Sequence, residues 1–408
     1  VEKLGSNTLT LTNAQTYTGT TAISAGRLVF QNNTRPSTPT FTGTGALNIE
    51  PTANGSFTTA FNTNAYSFSS TLTGLTLGSA SNTNAVNINA DLVMAGPVTV
   101  YGGGISINNN IDTRTGGIGG DVLIKSSADI SLAASKSIKT SGGDVVLWSN
   151  SDGQSANGGI FMFANSLVNT SGGHLWMAGG SGTSTWHGLT VGDGYATSGT
   201  SIIVGALNFD KPAIFLQDTT LSTAGGDIYI RGKTTSFRGF LTTGQGLMDA
   251  GAGKIYIEGK SETTGGAAGT GWHDGASVLT LTSSNAAADA IVWLSDASAS
   301  NGTGIAGEGL GMAGTTSLIA TGGGGVRFTS LGSTSQTASV GIRLGYLSTQ
   351  GGVLNLLANS GEITLDTGSR SMRIENTLSS ASLGAKANTT VTTSSSNITV
   401  ISDDVSAS

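Results

Sequence analysis

Apolar residues alternate with polar ones in short strings along the chain, and many of these strings follow a pair of glycines. Val122 and Ile124 are separated by one residue, as are Ile130 and Leu132, and polar residues fill the stretch between the two strings. Apolar residues two apart lie on one face of a β-strand, and paired glycines allow a tight turn with positive φ before it. The pattern therefore predicts short strands that are separated by turns and have one apolar face each.

The motif of two glycines followed by a predicted strand recurs along most of the chain. Its second glycine stands at Gly120, Gly143, Gly173, Gly226, Gly253, Gly325 and Gly352. Two intervals are long, and the apolar strings at residues 200–204 and 289–293 divide them, which leaves units of roughly 23 to 36 residues. A turn-plus-strand unit that repeats at such a period is typical of a β-solenoid, in which each unit is one coil.

The shortest unit indicates how a coil closes. Val122 with Ile124 and Ile130 with Leu132 form two inward pairs, Ile138 marks a third strand, and polar residues lie at the corners between them. Three strands per coil predict an all-β fold, a right-handed parallel β-helix (β-solenoid) with roughly triangular coils of 23–36 residues. Each coil in such a fold is stabilised mainly by stacking on its neighbours.

The regularity of the repeat divides the chain into three stretches. We predict less regular solenoid coils with insertions in residues 1–115 and the regular Gly-Gly-repeat solenoid in residues 116–365. Residues 366–408 are predicted to form coils that continue the solenoid. Neither end shows an amphipathic helix or a charged cap to cover the last coil. We therefore expect the ends to continue into a longer chain or to associate end-to-end with another copy.

Composition excludes several classes of protein. The chain has 37% apolar residues and a net charge of −6, which is too apolar and too weakly charged for disorder. Its 18 basic residues are scattered singly, so no nucleic-acid surface is predicted. No apolar run approaches the ~20 residues of a membrane span. Cysteine is absent, which excludes disulfides and thiolate metal sites.

The start of the chain has its own order of motifs. Residues 5–11 read GSNTLTL, residues 15–19 read QTYTG, and residues 21–28 read TAISAGRL. Together they resemble the autotransporter-associated β-strand repeat of large secreted bacterial proteins, with Gln15 where the family usually has Asn and Asn7 where it usually has Gly. The later coils are similar in style to the filamentous-haemagglutinin-like β-solenoids of exported adhesins. The resemblance implies export by a type V-like route and brings no catalytic residues.

Two glycine-rich stretches match ligand motifs by their letters. Residues 116–121 fit a calcium-binding nonapeptide once, but that site needs tandem copies, and the following nine residues do not repeat it. Residues 302–307 match a dinucleotide fingerprint without the helix that must follow it. We interpret the first as a glycine corner and the second as a loop, and we predict no cofactor and no metal.

Ionisable residues also occupy the position after the glycine pair. It is Asp121, Asp144 and Asp227 in three coils, but His174 and Lys254 in two others. A glycan-cleaving β-helix gathers carboxylates or basic residues on one flank. Because the residue type varies, we interpret these positions as solvated corners and predict no catalytic residues.

Aromatic and ionisable residues adjoin in two predicted loops. Trp186 with His187 and Trp272 with His273 are candidate glycan contacts, because an exposed Trp can stack on a sugar ring. The commoner role of such residues is to pack the loop. Residues 186–188 and 265–269 are the predicted loop tips, while the remaining tryptophans lie in predicted strands and are expected to pack against neighbouring coils.

The leading hypothesis is a non-enzymatic structural surface protein, a fibre or adhesin shaft that stacks head-to-tail into extracellular filaments at the bacterial cell surface. The alternative is a secreted β-helix that binds or cleaves glycans, with host or surface glycans as partners. A third hypothesis, ice binding, is disfavoured because it needs a regular Thr array, and the coil lengths vary.

Overall fold

The computed structural model describes residues 1–408 except 14, 16, 32–38, 53–54, 118, 155–156, 199–201, 205–206, 210–211, 236–237, 263–270, 301–309, 313, 334–341, 345–352, 367–371, 375–387, 394–397, 402–404 and 408. Within the described residues, strands build nearly the whole fold, and the helical segments are two single 3₁₀ turns, Thr63–Ala65 and Arg114–Gly116. The all-β prediction is confirmed.

One parallel sheet, here called face 1, runs along the solenoid and takes one strand from each coil. Its register stacks like on like: Val122 pairs with Val145, which in turn pairs with Leu175. Its strands in sheet order are Thr8–Leu11, Arg27–Gln31, Ala46–Glu50, Gly74–Leu77, Val98–Gly102, Val122–Ser126, Val145–Ser149, Leu175–Trp186, Ile228–Thr234, Ile255–Ser261, Asp289–Asp296, Gly325–Leu331, Ile363–Asp366 and Ile398–Ile401.

Two further parallel ladders close the coils. Face 2 contains Phe61–Asn62, Val86–Ile88, Ile105–Ile107, Ile130–Leu132, Ile160–Met162, Ile214–Gln217, Phe240–Asp249, Gly271–Ser283, Leu310–Met312, Ile342–Leu344, Met372–Ile374 and Val405–Ala407. Face 3 contains Leu92–Val93, Ile111–Asp112, Ser137–Lys139, Leu167–Asn169, Thr220–Ser222, Thr315–Ala320, Val353–Ala358 and Asn388–Thr393. The strands Phe240–Asp249 and Gly271–Ser283 run around the corner and pair in both ladders.

The remaining strands lie at the start of the chain and in one insertion. A small parallel sheet in the first coils contains Glu2–Lys3, Thr21–Ile23, Thr40–Gly43 and Ser67–Phe68. The insertion contains Leu189–Gly194, which pairs antiparallel with the end of Leu175–Trp186, and an antiparallel pair of Ile202–Val204 with Leu207–Phe209.

The predicted three-strand coil is confirmed in detail. Val122, Ile124, Ile130, Leu132 and Ile138 are all at most 1% exposed, and they belong to three successive strands on the three faces. The inward side chains of the three faces form one continuous hydrophobic core from Ile23 to Leu365. The fold is therefore a parallel β-helix, as predicted.

Coil length varies more than the sequence pattern indicates. Ile255 pairs with Ile291 and Ile291 with Val326, which confirms that the second long interval holds two coils. The first long interval does not, because Leu175 pairs directly with Ile228, 53 residues later. The prediction that residues 200–204 begin a coil is wrong: the strand there has an antiparallel partner and forms a hairpin outside the coil.

Candidate functional site at a surface hairpin

The residues after the glycine pairs form a ladder of hydrogen bonds along one corner of the solenoid. The side-chain Oδ1 of Asp121 accepts the N–H of Asp144 (2.9 Å), and Oδ1 of Asp144 accepts the N–H of His174 (2.6 Å). Nδ1 of His174 accepts the N–H of Asp227 (2.9 Å), and Oδ1 of Asp227 accepts the N–H of Lys254 (2.7 Å). These residues lie at the surface as expected, but the first four have a structural role, because each accepts the backbone N–H of the next coil.

A buried threonine supports three of these corners from inside. Thr140, Thr170 and Thr223 stand three residues before the second glycine of a pair, are fully buried, and donate their hydroxyl to the carbonyl of that glycine. A buried carbonyl without a partner is costly, so the hydroxyl satisfies a group that the tight corner would otherwise leave unpaired. The recurring motif Thr-x-Gly-Gly is a sequence signal for this role, but the alternation of apolar and polar residues does not reveal it.

The second glycine of each pair is required by close packing between coils. A Cβ added to Gly173, Gly226 or Gly253 would lie 2.2, 2.0 and 1.9 Å from the carbonyl oxygen of the second glycine in the preceding coil. The first glycine has a different role, since Gly142 adopts a φ of 85° that side chains disfavour. The pairs therefore build corners that stack in contact.

A β-hairpin folds back over the outer side of face 1. It contains the strands Leu175–Trp186 and Leu189–Gly194, and it covers an apolar cluster on the outer side of the sheet. In this cluster Trp148 and Trp176 are each 2% exposed, with ring centroids 6.3 Å apart. The Nε1–H of Trp148 donates to the carbonyl of Gly180 in the hairpin (2.7 Å). The prediction that these two tryptophans pack between coils is confirmed.

The tip of the hairpin is the two-residue turn at His187 and Gly188, whose φ angles are 48° and 80°. Two-residue turns with positive φ at both positions fit the twist of antiparallel strands. The predicted loop tip at residues 186–188 is confirmed, whereas the one predicted at 265–269 lies outside the described residues. The turn directs His187 back toward the corner ladder.

Three ionisable side chains meet below this turn, and we call them the His–His–Asp cluster: His174, His187 and Asp227. Nε2 of His187 lies 2.9 Å from Oδ2 of Asp227, and the two imidazole rings stack with centroids 4.1 Å apart. One potential ligand atom from each of the three residues lies within 4.8 Å of the others. The His187 side chain is 41% exposed, so the cluster opens to solvent.

The candidate glycan contacts have different surroundings. Trp186 is half-buried, and its ring contacts Tyr229 (5.6 Å between centroids) as well as both histidines of the cluster. Trp272 and His273 lie in the strand Gly271–Ser283, so the prediction of a loop there is wrong: the segment continues the ladder of face 2, with Trp272 paired to Leu241. The side chains of Trp272 and His273 lie outside the described part of the structure.

A polar network that the sequence reading missed continues on the outer side of face 1. Glu258 is 7% exposed and accepts hydrogen bonds from the hydroxyls of Tyr195 (2.5 Å) and Tyr256 (2.9 Å) and from Nε of Arg231 (2.8 Å). The guanidinium of Arg231 also lies 3.9 Å from the ring centre of Tyr195. The repeat contains a sequence signal for this network, because Arg231 and Glu258 occupy the same outward-facing position in successive coils.

Burial and charge shift the pKa values in this network in the direction that keeps it intact. Burial, together with the hydrogen bond to Glu258, raises the pKa of Tyr195 to about 12. Burial, the charge of Glu258 and the hydrogen bond to it raise the pKa of Tyr256 well above its usual range. Burial lowers the pKa of Arg231, but the charge interactions with Tyr229, Glu258 and Tyr195 outweigh it and leave this pKa raised. The tyrosines stay neutral donors and the arginine stays charged at physiological pH.

Comparison with known proteins identifies one region of the chain. Residues 1–30 match the family model of the passenger-associated-transport-repeat. No curated protein and no solved structure matches the chain. Among the described residues, no helix is long and apolar enough to cross a membrane. The resemblance seen at residues 5–28 is thus confirmed: the chain carries a passenger-associated transport repeat of the autotransporter kind at residues 1–30, and parallel β-solenoid coils follow it.

Proposed function

We propose that the chain is a non-enzymatic shaft segment of an autotransporter passenger, exposed on the bacterial cell surface. The single observation that carries this proposal is the ladder of face 1, which runs in parallel register from Thr8–Leu11 to Ile398–Ile401 and begins inside the transport repeat. Hydrogen bonds between successive coils lie along the axis, so a pull on the rod loads many of them together. Such a rod projects whatever its far end or its surface loops carry.

The hydrogen bonds made by the carboxylates on the outer surface support a structural role. The corner carboxylates of Asp121 and Asp144 receive backbone amides, and the carboxylate of Glu258 is satisfied by three donors. A hydrolase of the β-helix class needs an acid and a base free to reach the substrate. Carboxylates that are occupied in this way stabilise coils instead.

Surface exposure is tested in the bacterium that makes the protein. An epitope inserted between His187 and Gly188, at the solvent-exposed tip of the hairpin, should be labelled by antibody on intact cells and removed by external protease. The matched control places the same epitope beside Leu147 in the buried core, where it should abolish the folded product. An epitope at the tip that is labelled only after the cells are lysed would contradict the proposal.

We further propose end-to-end association of the rods. Among the described residues, the strand Thr8–Leu11 pairs only with Arg27–Gln31, and its own Leu9 and the nearby Leu4 are 38% and 67% exposed. An open strand edge with exposed apolar residues accepts another strand, either from further sequence or from a second copy. Electron microscopy at increasing protein concentration tests for filaments; uniform short rods at every concentration would contradict stacking between copies.

Glycan contact is a second candidate function, and one observation favours it. Trp186, Tyr229 and Tyr256 form a row on the outer surface, with successive ring centroids 5.6 and 4.9 Å apart. Rows of aromatic rings can stack on sugars. A glycan array with the purified protein tests this function, and Tyr256→Ala should weaken any genuine signal, whereas binding that Tyr256→Ala leaves unchanged would count against this surface.

A further inference from the structure

The fold brings together three side chains of types that can bind a metal ion, from residues 174, 187 and 227. His174 and Asp227 lie at the same corner in successive coils, and the hairpin turn brings His187 onto them. Two imidazoles and one carboxylate are a ligand set that Zn²⁺ accepts readily, with water in the remaining position. The ligand atoms already lie within 4.8 Å of one another.

We propose that the His–His–Asp cluster binds one divalent transition-metal ion, with Zn²⁺ as the reference ion, and that the ion fastens the hairpin tip to two successive coils. The proposal does not depend on the shaft function, because it rests on the local geometry alone. It assigns a ligand role to His187, for which the sequence alone predicts a possible glycan contact.

The two oxygens of Asp227 have separate partners, which leaves one of them available to an ion. Oδ1 accepts the backbone N–H of Lys254 as part of the corner ladder, whereas Oδ2 faces Nε2 of His187 at 2.9 Å. Two ligand atoms that are each 2.0–2.1 Å from a tetrahedral zinc lie about 3.3 Å apart. An ion can therefore replace the proton between Oδ2 and Nε2, which moves to Nδ1 of His187 or is released to water. The two atoms must then separate by a few tenths of an ångström, and the half-exposed side chain of His187 can make that movement.

His174 sets the strength of the site, because its lone pair is already engaged. A neutral imidazole has one nitrogen lone pair, and in His174 it accepts the N–H of Asp227 at Nδ1. A metal ion takes this lone pair directly, or binds Nε2 after the ring proton moves to Nδ1. In both cases the amide of Asp227 loses its acceptor, so we expect reversible binding in the micromolar range rather than a permanently loaded site.

Titration of the full chain with ZnCl₂ by isothermal calorimetry tests the site, after the protein has been treated with a chelator. We expect one ion per chain and at least a tenfold loss of affinity in His187→Ala and in Asp227→Asn. His174→Asn is the sharpest variant, because its amide oxygen can still accept the N–H of Asp227 while the imidazole is gone. His273→Ala, which removes the third histidine of the chain, is the matched control and should bind as the wild type does.

A second measurement separates binding at the cluster from binding elsewhere. Zn²⁺ should slow amide hydrogen exchange in the hairpin tip, residues 184–191, in the wild type and in His273→Ala, but not in His187→Ala. Replacement of Zn²⁺ by Co²⁺ should give visible absorption that the same variants lose. No heat of binding up to 1 mM Zn²⁺, or binding that His187→Ala leaves unchanged, would overturn the proposal.

Discussion

At four successive corners, the residue after the glycines supplies an acceptor atom to the next coil. The atom must reach the backbone amide one coil away, about 4.8 Å along the axis, and the Oδ1 of Asp and the Nδ1 of His both do so. Lys254 offers no acceptor, and the ladder ends there. Asp144 and His174 differ in charge and shape, yet they share one property, a short side chain that accepts a hydrogen bond.

Replacement of Asp144 tests this role. Asp144→Ala removes the acceptor of the His174 amide and should lower the free energy of unfolding by about 1 kcal/mol, the net value of such a hydrogen bond. Asp144→Asn keeps Oδ1 and should remain close to the wild type. Denaturant unfolding of the two variants makes the comparison; equal stability would show that the carboxylate is a passive surface group.

The buried threonines allow a second test inside the same corner. Thr170→Val keeps the shape of the side chain but leaves the carbonyl of Gly173 without its donor, which should cost about 1–3 kcal/mol. Thr170→Ser keeps the hydroxyl and should lose much less. Thermal unfolding of both proteins measures the difference. A Val variant that is as stable as the Ser variant would show that the hydroxyl does not stabilise the corner.

The network around Glu258 predicts a loss of stability at high pH. The pKa of Tyr195 rises from 10.0 to about 12 on folding, so its contribution is fully present below pH 10 and is lost as the pH rises through about 12. Tyr195→Phe should therefore reduce the fall in melting temperature between pH 10 and 12, although it is less stable than the wild type at pH 8. Tyr17→Phe, in the first coils of the chain, serves as the control, and identical alkaline profiles in all three proteins would refute the assignment.

At the scale of elements, the strands could be predicted and the hairpin insertion could not. Many coil strands have an inward apolar pair, such as Val122 with Ile124, and this period of two is visible in the sequence. Ile202–Val204 has the same appearance, but it pairs antiparallel with its neighbour in the chain. Alternation shows that a strand forms and not which partner it takes, so alternation alone divides the 53-residue coil at the wrong place.

The same limit applies to the candidate site. Asp227 lies 40 residues after His187 and 53 residues after His174. The three side chains meet only because of the way the hairpin folds over face 1. Trp186 and His187 could be assigned to a loop tip from the glycine that follows them. That the tip turns back onto the corner follows only from the pairing of the two hairpin strands.

A substitution at Gly192 tests whether the hairpin shields the apolar cluster that contains Trp148 and Trp176 from solvent. A Cβ at this position would lie 2.3 Å from the carbonyl oxygen of Gly179 and 2.8 Å from Nε1 of Trp148. Gly192→Ala should therefore push Leu189–Gly194 off the sheet, at a cost of roughly 1–3 kcal/mol, and expose Trp148 to acrylamide quenching of its fluorescence. Thr190→Ala, which changes an exposed residue of the same strand, should leave the quenching unchanged. Equal quenching in the two variants would contradict the covering role.

At the scale of the whole molecule, the fold was predictable because every coil repeats the same contacts. The core is continuous from Ile23 to Leu365, yet each inward side chain packs mainly within its own coil and against the two adjacent ones. Stability in such an array is close to a sum of coil and neighbour terms. The chemistry of the surface does not repeat in this way, and for that reason the sequence pattern reveals the rod better than its ligands.

Local stability along the axis follows from this arrangement. Ile124→Ala removes a fully buried side chain and should cost about 2–5 kcal/mol. Hydrogen exchange should quicken in Val98–Gly102, Val122–Ser126 and Val145–Ser149, while Ile255–Ser261 keeps its protection. Ser131→Ala, which changes an outward-facing residue of the same coil, should have a much smaller effect. Uniform loss of protection along the chain would instead show that the solenoid unfolds as a single unit.

The direct pairing of Leu175 with Ile228 has a consequence for how such a protein can diversify. Because 53 residues rise no further along the axis than the 23 between Val122 and Val145, the amount of sequence in a coil is uncoupled from the length of the rod. Insertions at this corner change what the surface displays without shifting the register of any later coil. The corner is therefore a natural graft point, where new recognition loops can be acquired or exchanged while the scaffold keeps its dimensions.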